Sequence, residues 1–376
     1  MRIGKLSLIG VILSCTPSAF AVDYGAVNAV GDWGTAASWT PGGGPPVASD
    51  RAFIGTNWVG GSAATATINV TDPRSIKDIF VGGFTGGTLG TLNINGGGSL
   101  AVTTDVMLGH SSNAVVSLNT GGTLSVGGQL RIAEGVASTF NYNGGTLTAN
   151  TIFSGIYGAG TFNLGNSLTT TTFHMAYFTG STGNLLSLGG NDLTTQNLYL
   201  SFGDLTGGGS GTITRGTGGN IITGLVDIRG GTNWAFGAGD QVNSTFQGYW
   251  GSSSAVNQLT GETTGLTLGT GLGTGALDIS NAFGSHTLKL NFDAGSGGGD
   301  WIFRWANPNT GDRVTTINNL IAAGRITVSG IALLDRQVAN GGDGFTYVRS
   351  IAVIPEPTSL GLVGLAGIGL LRRRRA

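Results

Sequence analysis

TLNINGGGSLAV, residues 91–102, carries the pattern on which the fold turns. Leu92 and Ile94 alternate with polar residues, so a short strand has one apolar face and one polar face. Asn95 and three glycines then permit the positive φ of a tight turn. Leu100 and Val102 open a second alternating run. The arrangement returns in VSLNTGGTLSV (116–126), TFNYNGGTLTA (139–149), TFNLGNSLTT (161–170) and LSLGGNDLTT (186–195). The leucines after the turns, Leu100, Leu124, Leu147, Leu168 and Leu193, are spaced by 24, 23, 21 and 25 residues. A further short strand follows, as in DVMLGH (105–110), QLRIAE (129–134) and NLYLSF (197–202).

A repeat of about 23 residues cannot bury its own apolar face and must stack on its neighbours. The expected fold is therefore all-β, with a right-handed parallel β-solenoid as its repeat region. Leu92, Ile94, Val116, Leu118, Phe140, Tyr142, Phe162 and Leu164 should point inward and stack in register from coil to coil. The competing fold is an antiparallel β-sandwich with strands of similar length. The near-constant period favours the solenoid, because sandwich loops vary more in length.

The segment before the repeats, DWGTAASWTPGGGPPVASDRAFIG (32–55), is different. It holds Trp33 and Trp39, a Pro/Gly turn, then Asp50 and a strand. This W…SW…P…D-x-A-x-I arrangement resembles the N-terminal start of bacterial surface proteins with autotransporter-type β-repeats. A solenoid needs a cap over its first open edge, and the tryptophans are expected in the core of that cap, with sugar stacking as the alternative. After residue 205 the period fades. Strands are expected at HTLKLNF (286–292), WIFRWA (301–306), RITVSGIAL (325–333) and FTYVRSIAV (345–353). TTINNLIAAG (315–324) reads as a short helix with Ile317, Leu320 and Ile321 on one face and Gly324 at its stop. The expected organisation is 22–87 as N-terminal cap and first strands, 88–240 as solenoid repeats and 241–353 as a smaller β-rich C-terminal domain.

Composition supports many short strands and tight turns. Glycine supplies 71 of 376 residues, yet there is no G-X-Y period and proline numbers only 8, which excludes collagen. Hydrophobic residues make up 40% and charged residues 10%, the opposite of a disordered chain. The 18 basic and 19 acidic residues include six basic residues and Glu356 in the two terminal segments. The body between them is net −6, which argues against a nucleic-acid partner.

No constellation for catalysis stands out. The three histidines, His110, His174 and His286, lie far apart, and no H-E-x-x-H, paired Cys/His spacing or G-x-S-x-G is present. A polysaccharide-cleaving enzyme would need clustered carboxylates. Residues 88–204 offer only Asp105, Arg131, Glu134, Asp192 and Asp204 as charged groups, at positions that differ between coils. GAGD (237–240), GSGGGD (295–300) and GGDG (341–344) are isolated, without the tandem nonapeptide of a calcium β-roll, and read as glycine turns with solvated aspartates. TTTT (169–172) reads as a solvent-facing strand not repeated in register. Tyr249, Trp250, Trp301 and Trp305 are the aromatics best suited to a sugar platform, and Trp301 and Trp305 are the candidate ligand-binding pair. Trp301, Phe303 and Trp305 share one strand face by period two, which equally suits a core. No catalytic residue, metal ligand or cofactor is assigned.

The two ends of the chain carry addresses. Arg2 and Lys5 precede an apolar run from Leu6 to Leu13, and Ala19-Phe20-Ala21 forms an A-x-A cleavage site. Residues 1–21 are therefore expected to be a signal peptide, with the mature chain starting at Val22. Ile12-Leu13-Ser14-Cys15 resembles a lipoprotein box, the alternative in which Cys15 is lipidated. At the other end, IPEPTSLGLVGLAGIGLLRRRRA (354–376) places Pro355-Glu356-Pro357 before fourteen uncharged residues and then Arg372, Arg373, Arg374 and Arg375. The run is short for a span and holds four glycines, so it makes a marginal transmembrane helix. The arginines should stay on the cytoplasmic side.

Tripeptide, apolar run and arginine cluster together resemble the PEP-CTERM sorting signal. The resemblance implies recognition by an exosortase of a Gram-negative bacterium, removal of the tail and delivery to the cell surface or extracellular matrix. The expected function is that of an exported, non-enzymatic structural or adhesive protein with extracellular polysaccharide as a partner. The alternatives are a carbohydrate-binding module on a solenoid spacer and, third, a polysaccharide-cleaving enzyme.

Overall fold

The computed structural model describes residues 21–42, 44–60, 62–84, 87–178, 180–200, 209–228, 231–236, 240–248, 259–261, 267–268, 290–293, 301–307, 311–322, 326–329, 336–342 and 344–350. The alternating runs form strands that are parallel from coil to coil. Thr65–Val70, Leu89–Ile94, Asn113–Asn119, Ser138–Asn143, Gly160–Leu164, Asn184–Ser187 and Ser210–Thr214 build one sheet, each strand bonded to the next. Between them the chain crosses to a second sheet. There Thr123–Ile132, Thr146–Ser154, Leu168–Met175, Leu193–Leu200, Ile221–Ile228 and Gln241–Gly248 follow one another, again in parallel. The chain is a β-solenoid of about eight turns.

The interior consists of columns. Ile68, Leu92, Val116, Phe140, Phe162, Leu186 and Ile213 occupy one register position in seven successive coils, all buried. The rings of Phe140 and Phe162 stack at 5.2 Å and 8°, and Phe173 meets Phe162 edge-on at 5.6 Å. Each such side chain contributes about 1.5–3 kcal/mol by leaving water. The eight residues expected to point inward do so, and Leu100, Leu124 and Leu147 align in adjacent coils.

The second sheet bends along a corner, which breaks its alternation. Leu168 and Thr170 are buried, then Phe173 and Met175; Leu193 and Thr195, then Leu198 and Leu200. The three-residue step turns the chain while both halves keep apolar side chains inside. In the earlier coil Gly127 and Gly128 lie at this corner, where the register shifts between Val126 and Gln129. Just before the bend, at the position that Val126 and Ala149 hold in earlier coils, the later coils carry a buried threonine column, Thr170, Thr195 and Thr223. The Thr170 hydroxyl lies 2.7 Å from the Ala149 carbonyl and 3.1 Å from that of Asn150. So part of the TTTT run is internal and in register, contrary to the solvent-facing expectation. Its hydroxyls satisfy backbone carbonyls at the bend.

The N-terminal segment closes the first coils. Asp23–Ala26 pairs antiparallel with Trp39–Thr40 and parallel with Arg51–Ile54. Trp33 and Trp39 are buried edge-to-face, 4.9 Å apart, and the Trp39 indole N–H donates to the Trp33 carbonyl. At the other end the period continues beyond residue 205, through Ile221–Ile228 and Gln241–Gly248. Trp301–Ala306 pairs parallel with Thr267–Leu268 of the same sheet and antiparallel with Phe345–Ser350. A helix spans Val314–Ala322, with Ile317 buried.

Candidate functional site

Two outward faces carry the chemistry that the coils bring together. On the first sheet, the positions between the inward columns form two outer rows. Thr67, Thr91, Val115, Thr139 and Thr161 make one; Asn69, Asn93, Ser117, Asn141 and Asn163 make the other. Asparagine amides bond along the second row, from Asn93 to Asn69 at 3.1 Å and from Asn163 to Asn141 at 2.9 Å. At the turn beside it Asn119 bonds to Asn95 and Asn143 to Asn119. These rows contain hydroxyls, amides and one valine, and no charge.

The outer column of the second sheet is aromatic at both ends. Phe53, Phe80, Met107, Arg131, Phe153, His174 and Tyr199 follow one another in register. Phe53 and Phe80 stack at 4.7 Å. His174 lies between Phe153, at 4.3 Å and 5°, and Tyr199, at 4.6 Å and 12°. Tyr177 closes against the histidine edge-on. Burial among these rings lowers the His174 pKa from 6.5 to about 4, because the imidazolium would lose its hydration. Rings stacked along the column present edges rather than faces to the outside. Tyr157, which stacks on Phe178 at 4.6 Å, and Trp58 are the exposed members of this surface.

In the middle of the column Arg131 binds two carboxylates, Asp105 and Glu134, each at 3.3 Å. Gln129 accepts from its Nε at 2.8 Å. Three of the charged residues that sequence spacing scattered are thus gathered by stacking. Each carboxylate is held by the same guanidinium, and Asp105 also accepts the Gln129 backbone N–H at 2.8 Å, an arrangement that clamps two coils together. Among the described residues no group of three or more His, Cys, Asp and Glu side chains is placed to hold a metal ion. The aspartate of GAGD is not solvated as expected. Asp240 is buried, pairs with Arg215 and accepts the Ile221 backbone N–H at 2.6 Å.

Of the residues singled out in the sequence, Trp301 and Trp305 lie on Trp301–Ala306, whose pairing with Phe345–Ser350 shifts register between Trp301 and Phe303. Tyr249, Trp250, His286, Ala19 and the whole segment 351–376, with Pro355, Glu356, Pro357 and Arg372 to Arg375, lie outside the described residues. For that segment the comparison of sequences decides. Residues 353–375 match the family model of the PEP-CTERM protein-sorting motif.

The chain carries a PEP-CTERM sorting signal. The signal implies export, sorting by an exosortase and a surface or extracellular destination. No curated protein and no solved structure matches the chain. Among the described residues no helix is long and apolar enough to cross a membrane. The PEP-CTERM motif was readable from sequence because its parts are contiguous. The aromatic column and the Asp105–Arg131–Glu134 cluster were not, since their members are a coil apart.

Proposed function

We propose that this PEP-CTERM protein is a non-enzymatic structural or adhesive component of the cell surface or extracellular matrix. An exosortase would recognise Pro355-Glu356-Pro357 while residues 358–371 sit transiently in the inner membrane with Arg372 to Arg375 on its cytoplasmic side. The observation that carries the reading is the sorting motif at 353–375 on a chain whose body is a solenoid. A stacked coil is a rod by construction, and its interactions are spread along its length. The right-handed winding expected for parallel crossovers suits it. Replacing Pro355 and Glu356 together by Ala in the native organism should leave a precursor in the membrane fraction that retains the RRRRA end. Mass spectrometry of the terminal peptides reads this directly. Normal surface delivery of the variant would overturn the reading.

A second reading is a carbohydrate-binding module on a solenoid spacer. The uncharged threonine and asparagine rows favour it, since hydroxyl and amide groups suit a neutral, hydroxyl-rich polymer. Trp301→Ala with folding intact should abolish binding to matrix polysaccharide on this reading. Unchanged binding would remove Trp301 from it.

A further inference from the structure

Asp50 is the most deeply placed carboxylate of the N-terminal cap, only 4% exposed. One oxygen accepts the Val47 backbone N–H at 2.9 Å, while the Asp50 N–H returns to the Val47 carbonyl at 2.9 Å. The other oxygen accepts the backbone nitrogen of Val22 at 3.0 Å. The Arg51 N–H donates to the Val22 carbonyl at 2.9 Å, so Val22 is held from both sides. The adjacent cation is already engaged: Arg51 makes two bonds to Asp23, at 2.6 and 2.7 Å. Among the described residues Asp50 is in no salt bridge. A carboxylate withdrawn from water with only neutral donors is costly unless a cation joins it.

Sequence supplies that cation independently. Ala19-Phe20-Ala21 is an A-x-A site, and cleavage after Ala21 makes Val22 the first residue. Hydrolysis breaks the Ala21–Val22 C–N bond with one water. The water oxygen ends on the Ala21 carbonyl carbon as part of a carboxylate, and both water protons end on the Val22 nitrogen, which leaves as an ammonium group. The atom that becomes positively charged is the one already bonded to Asp50. We propose that removal of the leader completes the cap, by forming an ion pair between the new Val22 α-ammonium group and the buried Asp50 carboxylate. The proposal rests on the export reading. The pairing needs no movement of the backbone, since the Val22 nitrogen already lies 3.0 Å from the carboxylate; what changes is the charge on one donor. A neutral N–H bond becomes a charge-assisted one, which is roughly twice as strong. The cap strands Asp23–Ala26 and Arg51–Ile54 are then most firmly closed in the mature chain.

The test compares two chains with the same C-terminal end, one beginning at Val22 and one retaining Phe20 and Ala21. Hydrogen exchange of peptides covering Asp23–Ala26 and Arg51–Ile54 should be about tenfold slower in the chain beginning at Val22. Asp50→Asn should bring the two chains to the same rate. The Val22 amine should also be acylated more slowly at pH 8 than the same amine in an unstructured peptide, a readout that needs no variant. Equal exchange in the two chains, with normal amine reactivity, would overturn the ion pair. N-terminal sequencing of the exported protein separates the two claims. A first residue other than Val22 overturns the leader assignment and the pairing with it. A start at Val22 with equal exchange overturns the pairing alone.

Discussion

His174 sits in the outer column with one ring on each side, Phe153 and Tyr199, and its neutral form is what fits. Its pKa falls from 6.5 to about 4 through desolvation. In the unfolded chain the imidazole takes up its proton near pH 6.5. In the folded chain it resists until about pH 4. The stability tied to this group is therefore complete above pH 6.5 and is lost as the pH falls to about 4. The full loss amounts to about 3 kcal/mol. Urea unfolding between pH 7 and pH 4 should show this acid limb, and His174→Phe, which keeps a ring in the stack, should flatten it. A limb of equal steepness in the variant would place the acid sensitivity elsewhere. Sequence alone shows this histidine only as one of three that lie far apart. Nothing local marks it as buried, because Phe153 and Tyr199 come from the coils before and after.

At the scale of the strand, legibility followed from whether a pattern is local. Alternation within six residues and a glycine turn are written in consecutive positions, so the inward columns through Leu92 and Ile94 could be named in advance. The corner of the second sheet could not. Its three-residue step looks like a lapse in alternation, and TTTT looks like an exposed run. Only the stacked coil shows that Thr170, Thr195 and Thr223 take one internal position. Thr195 is the clearest case: its hydroxyl lies 3.1 Å from the Thr171 carbonyl and 3.0 Å from that of Asn197. Valine has nearly the same shape without the donor. Thr195→Val should cost about 1–2 kcal/mol, since it leaves bend carbonyls without a partner and gains no volume. Thr194→Val, one residue away, should stay within about 0.5 kcal/mol. Equal effects at the two sites in chemical denaturation would mean that the buried hydroxyl does not hold the corner.

Across the whole molecule, the register between coils specifies what can be removed. Ser138 pairs with Gly160, Phe140 with Phe162 and Tyr142 with Leu164, an offset of 22 residues. Deleting residues 138–159 therefore joins Ala137 to Gly160 at an equivalent point of the next coil. Phe162 would then stack on Val116 and Leu164 on Leu118, with Phe173 taking the place of Ile152 above Leu130. The corner tolerates the change, because coils with a glycine pair and coils with a shorter bend already lie side by side. The Ala114 N–H loses the Ser138 hydroxyl that now accepts from it at 3.1 Å, which is a local loss. In a structure whose coils contact only their neighbours, stability is close to a sum over coils and their interfaces. The shortened chain should fold, keep the same circular dichroism per residue, and contract along its axis by about 4.8 Å in solution scattering, one strand spacing. Deleting only residues 138–148 removes half of that coil and leaves a strand of the second sheet where one of the first belongs. That chain should lose cooperative unfolding. Equal tolerance of the two deletions would show that the columns do not set the fold; tolerance of the first alone would show that the coil is its unit.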